Sequence, residues 1–155
     1  MAQLYVVRHA KAGERRLWSD DDMARPLSKK GWKQSELIGK RIAKLGPSKL
    51  VSSPYVRCIQ TLEPLGQTID AKVRIDQRLC EDEPFEPVLE LLRDLPPGAV
   101  LSTHGDIIAA TMQALARRGM KLNTPADWRK AAVWVLKRNK KGDIVHATVW
   151  PPPVV

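Results

Sequence analysis

Leu4-Tyr5-Val6-Val7-Arg8-His9 and Ala99-Val100-Leu101-Ser102-Thr103-His104-Gly105 follow one plan. In each, a short apolar run with β-forming residues passes directly into a histidine, and such runs read as strands buried on both faces. In an open α/β sheet, ligands gather beyond the carboxyl ends of the strands. Two of the three histidines therefore fall where such a sheet would place a site.

The segments between these two runs alternate in character. Lys11 to Arg25 is polar, with Gly13 and the acidic trio Asp20-Asp21-Asp22, and reads as a loop. Ser28 caps an expected helix through Leu45, whose apolar positions Leu37, Ile38, Ile42 and Leu45 recur at helical spacing before Gly46-Pro47 stops it. Lys49 to Ser52 is a second strand, and Pro54 suits the first turn of a helix that runs toward Ile69 despite Pro64. Lys72 to Ile75 is a third strand, followed by the acidic loop Glu81-Asp82-Glu83-Pro84 and a helix from about Phe85 to Leu95. After His104 a helix reaches about Arg118. Ala132 to Lys137 and Ile144 to Trp150 then flank Asn139-Lys140-Lys141-Gly142, a hairpin signal. Strands alternating with helices, then a hairpin, predict a three-layer α/β/α sandwich with a mainly parallel central sheet and an antiparallel edge.

At 155 residues the chain reads as a single domain, 1–155. Its 43% hydrophobic content suffices for a core and excludes a disordered chain. Two cysteines cannot staple a secreted mini-protein and point to a reducing cytoplasm. The longest apolar run, Ala131 to Leu136, has six residues against the roughly 20 that span a bilayer, and no basic segment precedes an apolar one at the start. Net charge is +9. Nine of the cations lie between Arg117 and Lys141, with Asp127 the lone acid. That stretch admits a nucleic-acid footprint, but no RNP-type aromatics, zinc spacing or KH-like loop accompany it. A solvated basic face, or a field that draws in an anionic substrate, explains it more simply.

Arg8 adjoins His9, and Arg57 lies just after another expected strand end. Arginine's planar fork makes paired bonds to phosphate oxygens. A neutral imidazole can attack phosphorus while a second stabilises the equatorial oxygens. Each of these residues alone has an ordinary structural explanation; their recurrence at strand ends is what suggests a phosphate site. Neither Cys58 nor Cys80 has an arginine six positions on, and the P-loop and G-x-S-x-G motifs are both missing. A metal site on His104 and Asp106 lacks a partner pair.

Four ordered segments then resemble the histidine phosphatase superfamily. Val7-Arg8-His9-Ala10 is similar to its RHG signature, with Ala10 in place of the usual glycine. Leu27-Ser28-Lys29-Lys30-Gly31-Trp32-Lys33-Gln34 resembles its L-[ST]-x-x-G-x-x-Q helix start. Ser52-Ser53-Pro54-Tyr55-Val56-Arg57-Cys58-Ile59-Gln60-Thr61 resembles its S-S-P-x-x-R-[AC]-x-Q-T segment, and Ser102-Thr103-His104-Gly105 its late [ST]-H-G element. Arg25-Pro26-Leu27-Ser28 and the small size resemble the phosphohistidine phosphatase branch named for SixA, and also the phosphatase-like domain joined to a Nudix hydrolase in some actinobacterial proteins.

The resemblance implies a phosphoglycerate mutase-like sandwich that works without metal or other cofactor. It makes His9 the nucleophile and carrier of a phosphohistidine, with Arg8, Arg57 and His104 completing the phosphate pocket. Leu79-Cys80-Glu81 matches an L-x-E stretch in which relatives place the general acid, so Glu81 is the expected donor, with Asp82 and Glu83 as neighbours on the same loop. The expected partner is a phosphorylated protein, in the manner of SixA, or a small phosphoester or nucleotide. A phosphate-binding module without turnover, serving a nucleotide hydrolase, is the alternative from another class.

Overall fold

The computed structural model describes residues 1–155. Seven strands form one sheet in the order β3-β2-β4-β1-β6-β7-β5: β1 (Ala2–Arg8), β2 (Leu50–Ser52), β3 (Val73–Ile75), β4 (Val100–Thr103), β5 (Lys121–Leu122), β6 (Val133–Arg138) and β7 (Ile144–Trp150). Only β6 runs against the others, paired antiparallel with β1 on one side and β7 on the other. The sheet is thus mainly parallel, with the expected hairpin making its antiparallel flank. Four helices complete the chain: α1 (Lys29–Ala43), α2 (Val56–Ile69), α3 (Glu86–Asp94) and α4 (Gly105–Arg117).

Strand alternation splits the core in two. From β1, Tyr5 and Val7 join Ile38 and Ile42 of α1 and Leu62 and Leu65 of α2 on one face. Leu4 and Val6 join Val88 and Leu92 of α3 and Ile108 and Met112 of α4 on the other. This is the expected α/β/α sandwich. No helix is long and apolar enough to cross a membrane.

Local chemistry fixes the start of α1. The Ser28 hydroxyl accepts from the Gly31 N–H at 3.1 Å and donates to the Lys11 carbonyl at 3.0 Å. Gly31 permits this approach, because a Cβ there would overlap the Lys11 carbonyl oxygen. The helix start and the loop after β1 are thereby tied together.

The basic stretch is divided between two ends of the sheet. Arg129 and Lys130 precede β6 near the end of β1, whereas Arg138, Lys140 and Lys141 lie at the far end of β6, where Arg138 pairs with Ala2. Arg138 is buried and donates to the carbonyls of Leu92, Arg93 and Leu95, closing the C-terminus of α3. A continuous basic face is not formed by these residues.

Candidate active site

β1 and β4 are parallel neighbours, with Arg8 opposite Thr103. The residues that follow them, His9 and His104, therefore emerge side by side, with ring centroids 5.6 Å apart and ring planes inclined at 66°. Both are buried. The His9 Nδ1 lies 2.8 Å from the Ala10 carbonyl oxygen. A carbonyl can only accept, so Nδ1 carries the proton and the Nε2 lone pair is left available. The Ala10 N–H in turn donates to the Thr61 hydroxyl at 3.0 Å, which pins the loop after β1 to α2.

His104 takes the N-cap position of α4, so the free N–H groups of that helix's first turn open beside it. Its Nε2 lies 2.9 Å from the Ser53 hydroxyl, and the Tyr55 ring meets its edge at 4.6 Å. Arg8 lays its guanidinium across Gly105, where a Cβ would come within 2.8 Å of Cζ, and Nη1 donates to the Trp128 carbonyl. Arg57, in the first turn of α2, is 1% exposed. It donates to the Asp22 carbonyl at 2.9 Å and faces the Asp22 carboxylate at 3.2 Å and the Glu81 carboxylate at 3.5 Å. Three buried polar atoms without a protein partner belong to these same groups: Arg8 Nε, Arg57 Nε and His104 Nδ1.

Arg8, His9, Arg57 and Glu81 line an open cleft of about 620 Å³, and His104 lies buried beside His9 rather than in its lining. Its wall carries the cations Arg8, Lys11, Arg15, Arg25, Arg57 and Lys130 against the acids Glu14, Glu81, Asp82 and Asp106. Of the acidic loop, Glu81 and Asp82 line the cleft and Glu83 does not. Asp82 is held by its N–H donating to the Asp106 carboxylate at 2.9 Å. No group of three His, Cys, Asp or Glu side chains is placed to hold a metal ion.

Burial, followed by the charges of Arg57, His104 and Arg8, pushes the His9 pKa down to about 3, against the pull of the Ala10 carbonyl. Burial and then Arg57 push His104 down to about 4. Both rings are neutral near pH 7, the state a nucleophilic imidazole requires. The sign of the stability effect follows. Between about pH 6.5 and 4 an unfolded chain protonates both histidines while the native protein does not, so stability falls as pH falls. Urea unfolding at pH 5 is expected to give a free energy roughly 2 to 4 kcal/mol below that at pH 7, and His9→Asn should remove about half of that dependence, leaving the His104 share. A flat profile in the wild type would contradict the buried neutral pair.

Several contributors escaped the sequence reading. Asp22 accepts from Arg25 Nε at 2.9 Å and faces Arg57 and Arg15. Burial pushes its carboxyl up, but the Arg25 hydrogen bond and the three guanidinium charges outweigh this and hold it below the usual carboxylate range. Nothing in the trio Asp20-Asp21-Asp22 marked one member as the partner of Arg57. Gln34, Gln60 and Thr61 stood inside the quoted motifs but without roles. Here Gln34 Oε1 accepts from the Lys11 N–H and Gln60 Oε1 from the Leu27 N–H, bracing the loop that faces the cleft.

A model of the histidine phosphatase superfamily (branch 1) matches residues 4–83. Over 154 residues the chain is 30% identical to the 8-oxo-(d)GTP phosphatase of Mycolicibacterium smegmatis, covering 96% of this chain and 48% of that protein. The chain thus spans about half the length of that relative. In shape it is similar to the protein histidine phosphatase SixA solved with tungstate, at a TM-score of 0.74 and 22% identity, covering 96% of this chain and 94% of that one. It is similar also to mycobacterial glucosyl-3-phosphoglycerate phosphatase, at a TM-score of 0.68 and 19% identity, covering 96% of each.

Proposed function

The chain belongs to branch 1 of the histidine phosphatase superfamily, and from that premise we propose that it is a metal-independent phosphatase working through a phosphohistidine on His9. One observation carries this reading. His9 is neutral, with its proton held on Nδ1 by the Ala10 carbonyl, in a cleft lined also by Arg8 and Arg57 and beside the buried ring of His104; each of these three neighbours has a buried nitrogen without a protein partner.

In the first step the His9 Nε2 lone pair forms the N–P bond, and the bond from phosphorus to the leaving atom breaks. Arg8, Arg57, His104 and the first turn of α4 hold the non-bridging oxygens, where charge sits in the transition state. Glu81, in its protonated form, gives a proton to the leaving atom. In the second step Glu81 takes a proton from water, whose oxygen attacks phosphorus. The N–P bond breaks, returning neutral His9 and releasing inorganic phosphate. Over the cycle His9 and Glu81 regain their starting protonation, and the net change is the addition of water across the bond from phosphorus to the leaving atom.

Purified protein in EDTA should hydrolyse p-nitrophenyl phosphate and, on rapid quenching, yield an acid-labile, alkali-stable phosphoprotein. The lack of both turnover and adduct would favour the phosphate-binding module. Removing the donor should matter most where the leaving group is a poor one. Glu81→Gln is expected to slow an alkyl phosphate about 100-fold and p-nitrophenyl phosphate less than tenfold; equal losses would reject Glu81 as the acid. Gly105→Ala should fold normally, since only the mobile end of Arg8 must give way. Its KM for phosphate monoesters should nevertheless rise about tenfold, as the guanidinium leaves its place. An unchanged KM would mean that Arg8 does not bind substrate from that position.

Two substrate classes remain within this reading. A protein-borne phosphohistidine is supported by the likeness in shape to SixA. A small phosphorylated molecule is supported by identity spread along nearly the whole chain to an 8-oxo-(d)GTP phosphatase, and by the surplus of cations around the cleft.

A further inference from the structure

Beside the catalytic cleft lies a second one of about 570 Å³ that shares Arg8, Lys11 and Lys130 with it and adds Lys30, Gln34 and Arg129. Residues 152–155 form its other wall, and no Asp or Glu side chain lines it. Gln34 is only 6% exposed. Its Oε1 accepts the Lys11 N–H at 3.1 Å, which fixes the amide's orientation. Its NH₂ group makes no hydrogen bond within the protein and belongs to a side chain that lines this cleft. Lys11, Lys30 and Lys130 form no ion pair, whereas Arg129 is engaged by Asp127 at 2.6 Å. Burial and the charges of Arg8, Arg25, Arg57 and Lys11 hold Lys130 below the usual ammonium range. Like charges crowded with no Asp or Glu side chain in the same wall destabilise one another, and an anion relieves them.

The backbone supports the arrangement. Ala131, which is fully buried, is held at φ 70°, and its N–H donates to the carbonyls of both Arg8 and His9, at 3.1 and 3.2 Å. A non-glycine residue stays in this conformation only where its surroundings insist on it. The contact brings Lys130 back over the end of β1.

We propose that this second cleft is a subsite for a second phosphate, so that the substrate is a small molecule carrying two neighbouring phosphates. One phosphate is placed on His9 and the other is held by Lys30, Lys130 and the Gln34 amide. The proposal rests on the phosphatase reading above. Lys11 and Arg8, facing both clefts, bridge the two groups.

The test is calorimetric and needs no turnover. Methylenediphosphonate and methylphosphonate are titrated into wild type, Lys30→Gln, Lys130→Gln and, as a charge control at the other end of the sheet, Lys140→Gln. The diphosphonate should bind wild type about tenfold more tightly. Lys30→Gln and Lys130→Gln should each reduce that preference below about threefold, while Lys140→Gln leaves it intact. Turnover of p-nitrophenyl phosphate by Lys30→Gln should stay within about twofold of wild type, because Lys30 faces only the second cleft. Equal affinities in wild type, or a preference that Lys30→Gln does not touch, would overturn the subsite. If Lys30→Gln instead slows only the dephosphorylation of a phosphohistidine-bearing protein, the cleft receives a protein surface and the small-molecule proposal is wrong. Loss of all p-nitrophenyl phosphate turnover in wild type, with the diphosphonate preference intact, would fault the phosphatase reading alone.

Discussion

Replacing His9 by asparagine is expected to lower kcat on p-nitrophenyl phosphate by about 10⁴-fold or more and to abolish the trapped phosphoprotein. The side chain supplies a lone pair whose direction the structure fixes, through the Ala10 carbonyl on the opposite ring nitrogen. Asparagine keeps an N–H for that carbonyl and fits the buried position, so the fold should survive. Arg8, Arg57 and His104 remain, and inorganic phosphate should still bind within about threefold of its wild-type affinity. That split between binding and turnover distinguishes loss of a nucleophile from loss of the site. Residual activity above about 1% of wild type, with the adduct still present, would assign the nucleophile elsewhere.

The second large effect is expected at Arg57. Arg57→Met should lower kcat/KM by about 10³-fold, because it removes a fixed charge from the transferring phosphoryl group. It should also lower stability by about 2 kcal/mol, since the carboxylates of Asp22 and Glu81 lose their shared, buried partner. That figure lies below the cost of breaking a fully buried pair because the side chains of Asp22 and Glu81 keep 34% and 25% of their exposure. Adding Asp22→Asn to Arg57→Met should restore part of the stability and none of the activity. Measured by urea unfolding beside kcat/KM, recovery of activity in the double variant would show that Arg57 acts only by neutralising Asp22.

The parts of the fold that could be read from sequence are those whose burial leaves a pattern. β1, β4, β6 and β7 are apolar runs sealed by helices or by each other, and α1 and α3 carry one-sided apolar spacing. β5 escaped notice because Lys121 and Leu122 are both exposed and are joined to β7 only through the backbone. The turns at Arg15–Leu17 and Asp22–Ala24 bury nothing, so no periodicity could reveal them. The same contrast holds in the site. Arg8, His9 and His104 were legible because each sits at a strand end, and Arg57 because it opens a helix. The folding of a polar loop brings Asp22 to Arg57 across 35 residues of sequence and Arg25 into the cleft wall, and local composition carries no trace of that approach. The second cleft was invisible for a similar reason, as Lys30 and Lys130 come from opposite ends of the chain.

β1 is the first strand in the chain and lies in the interior of the sheet, between β4 and β6. On a ribosome, both of its hydrogen-bonding edges stay open until residues 100–103 and then 133–138 have emerged. Leu4, Tyr5, Val6 and Val7 wait throughout as an apolar strand without neighbours, a template for pairing with another nascent chain. The pairings that rescue it are distant in sequence and hence slow to form. The strand that leads into His9 is therefore also a segment through which newly made chains can pair with one another before its own neighbours arrive.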